Sequence, residues 1–80
     1  MDDTTATTFA EMAEHIGIKP RLLYPVKTVA QVLGVEPSTI YDEISAGRMR
    51  YHLPPGRRQG RMVRPEWVDE WIEEGTHGTL

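Results

Sequence analysis

Residues 26–47 read VKTVAQVLGVEPSTIYDEISAG, and their spacing sets the architecture of the chain. Val26, Val29, Ala30 and Leu33 recur at helical intervals on one face, with Lys27, Thr28 and Gln31 turned away. Gly34 is a stop of the kind that ends helices by entering left-handed backbone. Pro37 suits the first position of a second helix, where its missing N–H leaves no bond unmade. Ile40 and Ile44 give that helix an apolar stripe, and Ala46-Gly47 closes it. Two short helices joined by a three-residue, glycine-containing turn make a helix-turn-helix.

Past Gly47 the period changes. Met49, Tyr51 and Leu53 alternate with Arg48, Arg50 and His52, which predicts a strand, and Met62-Val63 supplies a return strand. Pro54-Pro55-Gly56-Arg57-Arg58-Gln59-Gly60 between them is rich in turn formers. Residues 65–75 open on proline and close on glycine, predicting a helix that buries Trp67, Val68, Trp71 and Ile72. Upstream, Thr8-Phe9-Ala10-Glu11 fits a capping box, and Phe9, Met12, Ala13 and Ile16 recur at helical spacing before Gly17. The expected organisation is a disordered tail over 1–7, an N-terminal helix over 8–17, a domain over 18–75 and a tail over 76–80. Within the domain, residues 18–25 read as a connector broken by Pro20 and Pro25. The expected fold is mainly α with a small β-hairpin: a winged helix-turn-helix with an additional N-terminal helix.

Charge is unevenly distributed along this frame. The chain carries twelve acidic residues against nine Lys and Arg, a net charge of −3. Yet Arg48, Arg50, Arg57, Arg58, Arg61 and Arg64 lie together between Ile44 and Pro65 with no Asp or Glu among them. A basic projection on an acidic small protein is suited to gripping a polyanion at one place. Eighty residues allow one domain with one modest core. The absence of cysteine points to a reducing compartment, and no leader or membrane-spanning apolar run is present, so a soluble cytoplasmic protein is expected. No phosphate-binding glycine loop, HExxH or nucleophile elbow occurs, so an enzyme is not expected. His15, His52 and His77 are scattered and lack Cys companions, so neither a metal site nor a cofactor is expected.

The segment YPVKTVAQVLGVEPSTIYDEISAGRM resembles the excisionase and MerR-like winged-helix families at Val26, Val29, Ala30, Leu33, Gly34, Val35, Thr39, Ile40, Tyr41, Ile44 and Gly47. The basic wing and the tryptophan-containing last helix extend the similarity to about Trp71, and the size is most similar to phage excisionases. The resemblance implies double-stranded DNA as partner, with the second helix in the major groove and the wing at the minor groove or its phosphates. It further implies side-by-side binding that bends attachment-site DNA, so that a tyrosine integrase excises a prophage in the bacterial host cell. Two positions depart from the family pattern. Glu36 replaces a Ser or Thr cap, and Asp42-Glu43 stands where many relatives carry Arg or Lys after the tyrosine.

With Ile40 and Ile44 inward, a helical wheel turns Ser38, Thr39, Asp42 and Ser45 outward, and Asp42 can accept from a cytosine amino group. The candidate DNA-binding residues are therefore Ser38, Thr39, Tyr41 and Asp42 on the recognition helix. The wing and its strands add Arg48, Arg50, Arg57, Arg58, Arg61 and Arg64, some of which are expected to pair with the acidic last helix. Phe9, Met12 and Ile16 form a stripe available for self-association or for docking on the chain's own core. Two other classes remain open alongside the excisionase-type reading: a transcription regulator of the same fold, and a protein-interaction module such as a phage packaging subunit.

Overall fold

The computed structural model describes residues 7–76, so the expected tails over 1–7 and 76–80 lie almost wholly outside the described residues, as does His77. Six elements follow in order: α1 (Phe9–His15), β1 (Tyr24–Pro25), α2 (Val26–Leu33), α3 (Pro37–Ser45), β2 (Met62–Val63) and α4 (Pro65–Gly75). The fold is a mainly helical winged helix-turn-helix with one extra N-terminal helix.

The helix-turn-helix forms as its residue types require. Gly34 takes φ 75° and ends α2, letting the Val35 N–H reach back to the Ala30 carbonyl at 3.0 Å. A side chain in that left-handed conformation is strained, which is why glycine stands there. Gly47, at φ 79°, closes the helix-turn-helix the same way, with the Arg48 N–H on the Glu43 carbonyl at 2.9 Å. α3 starts on Pro37 behind Glu36, whose side chain makes no capping bond. Ile40 and Ile44 enter a core with Val26, Val29 and Ala30, so the core supplies what the missing cap does not.

The sheet differs from the expected hairpin. β2 pairs chiefly with β1, Tyr24 opposite Val63 and Pro25 opposite Met62, in antiparallel register. The connector over 18–25 thus ends in a strand, and Tyr24 is among the largest fully buried side chains. Residues 49–53 meet the return strand only at His52 and Met62, which exchange two N–H···O bonds of 2.7 and 2.9 Å. In that register the next bonded pairs are 54 with 60 and 50 with 64. Pro54 has no N–H to donate. Arg50 and Arg64 set like charges opposite each other and turn to Glu70 and Glu66 of α4 instead. Met49 is buried, while Tyr51 is exposed rather than facing inward with it.

The N-terminal helix is held on its own subunit. Thr8 and Glu11 form a reciprocal capping box: the Thr8 N–H donates to Glu11 at 2.9 Å and the Glu11 N–H to the Thr8 hydroxyl at 3.2 Å. The Phe9 N–H donates across the fold to Asp69 of α4 at 2.8 Å. The Phe9 ring meets Tyr24 edge to face, centroids 5.0 Å apart at 81°. Phe9 is only 3% exposed, so it cannot serve the self-association stripe expected of it. Met12 and Ile16 remain at the surface, 39% and 47% exposed. The expected stripe is split because Phe9 and Ala13 share the inward face and the other two lie on its rim. In α4 only Val68 is fully buried; Trp67 and Trp71 pack partly against the core and Ile72 is 40% exposed. So small a core covers one line of that helix and not its whole apolar face.

Candidate nucleic-acid interface

α3 presents a polar face because the core takes the opposite one. With Ile40 and Ile44 buried, Ser38, Thr39, Tyr41, Asp42 and Ser45 are all exposed. This face holds three hydroxyl side chains, a phenol and a carboxylate, and no cation. The cations lie instead in the segment that follows.

The wing tip is a turn of defined type. The Arg57 N–H bonds the Pro54 carbonyl at 3.1 Å, with Pro55 and Gly56 between them and Gly56 at φ 80°. Proline followed by a positive-φ glycine is the type II arrangement, and it projects Arg57 and Arg58 into solvent. Among the described residues, no carboxylate lies within ion-pair distance of Arg57, Arg58 or Arg61.

The other three arginines are engaged. Arg50 lies 3.4 Å from Glu70 and Arg64 lies 3.6 Å from Glu66. Both are exposed pairs, worth at most about 1 kcal/mol. Arg48 is committed differently. Its Nε and Nη2 form a two-pronged contact with Glu43, both bonds 2.9 Å, a geometry that fills the guanidinium fork.

Glu43 is a residue whose role the sequence did not disclose. It also accepts the Trp71 indole N–H at 2.8 Å, tying the last turns of α3 to α4. The Arg48 and Trp71 hydrogen bonds hold its carboxyl down from its ordinary 4.5 to about 2. The acid pair Asp42-Glu43 therefore divides: Asp42 faces solvent on the exposed face of α3, and Glu43 faces the protein.

Arg61 joins the two halves of the surface. Its guanidinium carbon lies 6.0 Å from the centre of the Tyr41 ring on α3 and 5.5 Å from that of Tyr51 on the outgoing limb of the wing. The alternation in the sequence marks Tyr51 only as a strand residue. Through Tyr41, Arg61 thus adjoins the exposed face of α3 that carries Ser38, Thr39 and Asp42, and through Tyr51 the outgoing limb of the wing, whose tip carries the exposed Arg57 and Arg58. Among the described residues no cluster of His, Asp or Glu is arranged to hold a metal ion, and no helix is long and apolar enough to cross a membrane.

No curated protein and no solved structure matches the chain. A family model described as a helix-turn-helix domain matches residues 23–76, from β1 through the end of α4, leaving α1 outside the match. That span includes α2, α3, the wing and every candidate DNA-binding residue, and on it the chain belongs to the helix-turn-helix domain family, whose members' fold points to DNA as its partner.

Proposed function

We propose that the protein is a small architectural DNA-binding factor of the excisionase type. In this reading α3 enters the major groove, while Arg57, Arg58 and Arg61 take phosphates or the minor groove beside it. Copies binding in succession bend attachment-site DNA and direct a tyrosine integrase toward prophage excision in the bacterial cytoplasm. The observation that carries the reading is a polar recognition face adjoining three arginines that no carboxylate approaches among the described residues. Arg48, its fork filled by Glu43, contributes to the shape of the site more than to its contacts, and Arg50 and Arg64 stay with Glu70 and Glu66, which leaves three arginines for the phosphates.

Mobility shift across an attachment region tests this, with salt varied and bend-sensitive probes. Three phosphate contacts give a slope of log K against log salt of about −2.7, or roughly a 40-fold loss between about 50 and 200 mM. Replacing Arg57 and Arg58 with Ala should leave a slope of about −0.9 and weaken binding on all sequences. A salt-insensitive wild type would overturn the interface. Unbent DNA carrying a single bound copy would leave the interface standing and replace the excisionase reading with a transcription regulator.

A further inference from the structure

We propose that Tyr41, Arg61 and Tyr51 form a lock that fixes the wing against the recognition helix, with Arg61 as its positioning residue. Few contacts join the limbs of the wing to each other. Its two limbs share one bridge, His52 with Met62, and the nine residues 53–61 loop out between the bridged positions. Two hydrogen bonds at the root of such a loop leave its angle to α3 poorly determined.

Arg61 supplies the missing constraint. Tyr51 and Arg61 each precede a bridged residue, so both side chains stand on the face opposite His52 and Met62, as diagonal neighbours within reach of long side chains. Arg61 also reaches Tyr41, which belongs to α3 and not to the wing. One planar cation therefore lies against two phenol rings from two separate elements, at 6.0 and 5.5 Å. The attraction of a guanidinium for a ring face acts on both sides. Among the described residues the Arg61 Nε is shielded from solvent and has no hydrogen-bond partner, so the two rings are the contacts that hold the side chain, with no carboxylate. An ion pair would hold it too, but would neutralise the charge that a DNA surface needs. Stacking on tyrosine leaves that charge in place and leaves the rings about 43% and 44% exposed.

The lock exists in the free protein, and its consequence for DNA rests on the reading given under Proposed function. The test has one arm for each. In the free protein, backbone relaxation at Gly56 and Gly60 reports wing order. Arg61→Lys and Tyr51→Leu should both loosen these positions while Tyr51→Phe preserves them, because lysine lacks the planar cation and leucine the ring. Melting temperatures should be unchanged in the tyrosine variants, Tyr51 being at the surface. In the DNA arm, Arg61→Lys should bind about five- to tenfold more weakly and Tyr51→Leu about two- to fivefold, with the salt slope unchanged in both, since the first loses two ring contacts and the second one while neither loses charge. Because lysine keeps the charge, it is wing relaxation in the free protein, and not the slope, that separates positioning from contact. Wing relaxation identical in wild type, Arg61→Lys and Tyr51→Leu would overturn the lock. Loosened wings in a protein whose wild type binds no DNA would uphold the lock and overturn the DNA reading.

Discussion

Replacing Phe9 with alanine should unfold this protein at a much lower temperature, although the residue lies outside the span shared with the helix-turn-helix family. Phe9 is 3% exposed and packs edge to face on the buried Tyr24. Truncation of a buried phenylalanine costs about 3–5 kcal/mol, of which an edge-to-face pair contributes roughly 0.5–1.5. The cost has a ceiling, because α1 has only seven residues and can leave the surface entirely once its anchor is gone. The low end, about 3 kcal/mol, is therefore the expected value. A chain of this size holds only about 4–12 kcal/mol in total. At about 4–8 °C per kcal/mol for a domain this small, the melting temperature should drop by roughly 12 °C or more. Asp69→Ala removes the carboxylate that accepts the Phe9 N–H and should act through the same docking event. Its loss alone costs about 1–2 kcal/mol. The double variant should then fall well short of the sum of the two, since an undocked helix has no second contact to lose. Thermal denaturation followed by circular dichroism at two protein concentrations measures all three. A melting temperature within about 3 °C of wild type for Phe9→Ala, accompanied by weakened self-assembly, would refute the argument and assign α1 to a neighbouring subunit.

Glu43 should give the fold an acid-sensitive contact. A carboxyl lowered to about 2 in the folded state stabilises fully above its unfolded value near 4.5, and that contribution disappears as pH falls toward 2. Melting curves of wild type and Glu43→Gln should thus lie apart at pH 6 and converge toward about pH 2.5; parallel curves would show that the contact is not linked to folding. Asp42→Asn should change which sequences are preferred more than it changes non-specific affinity, because a base contact is worth about 1–3 kcal/mol of discrimination. Selection from a randomised DNA pool measures this, and an unaltered preference would move specificity to DNA deformability.

The helices were legible because their ends are marked by residues whose backbone preferences act locally. Gly34 and Pro37 bracket the turn, and Pro65 and Gly75 bracket α4, without reference to anything distant. The outward face of α3 was legible for the same reason, since Ile40 and Ile44 leave only one way to turn the helix. The return strand Met62–Val63 was legible, but its main partner was not, because it pairs with Tyr24–Pro25, to which no local rule connects it. A signal was present: a residue before proline is driven to extended backbone, and Tyr24 precedes Pro25. Within the site, six arginines without an acid among them in sequence are not six free cations in space. Glu43, Glu66 and Glu70 arrive from α3 and α4, and Tyr41 and Tyr51 converge on Arg61, through contacts that exist only once the chain has packed.

The bond from Phe9 to Asp69 spans sixty positions of the chain, and this bears on how the protein is made. During synthesis α1 emerges ahead of every other element, but the helix that receives its amino end emerges last. Throughout that interval Phe9 and Tyr24 have each other but neither the Asp69 carboxylate nor the Val68 side chain of the core. The α1–α4 seam can therefore close only after the rest of the domain has been made, and closing so long a loop is entropically opposed. Any nascent chain halted before Asp69 leaves Phe9 only partly covered, the kind of surface that chaperones and aggregation compete for.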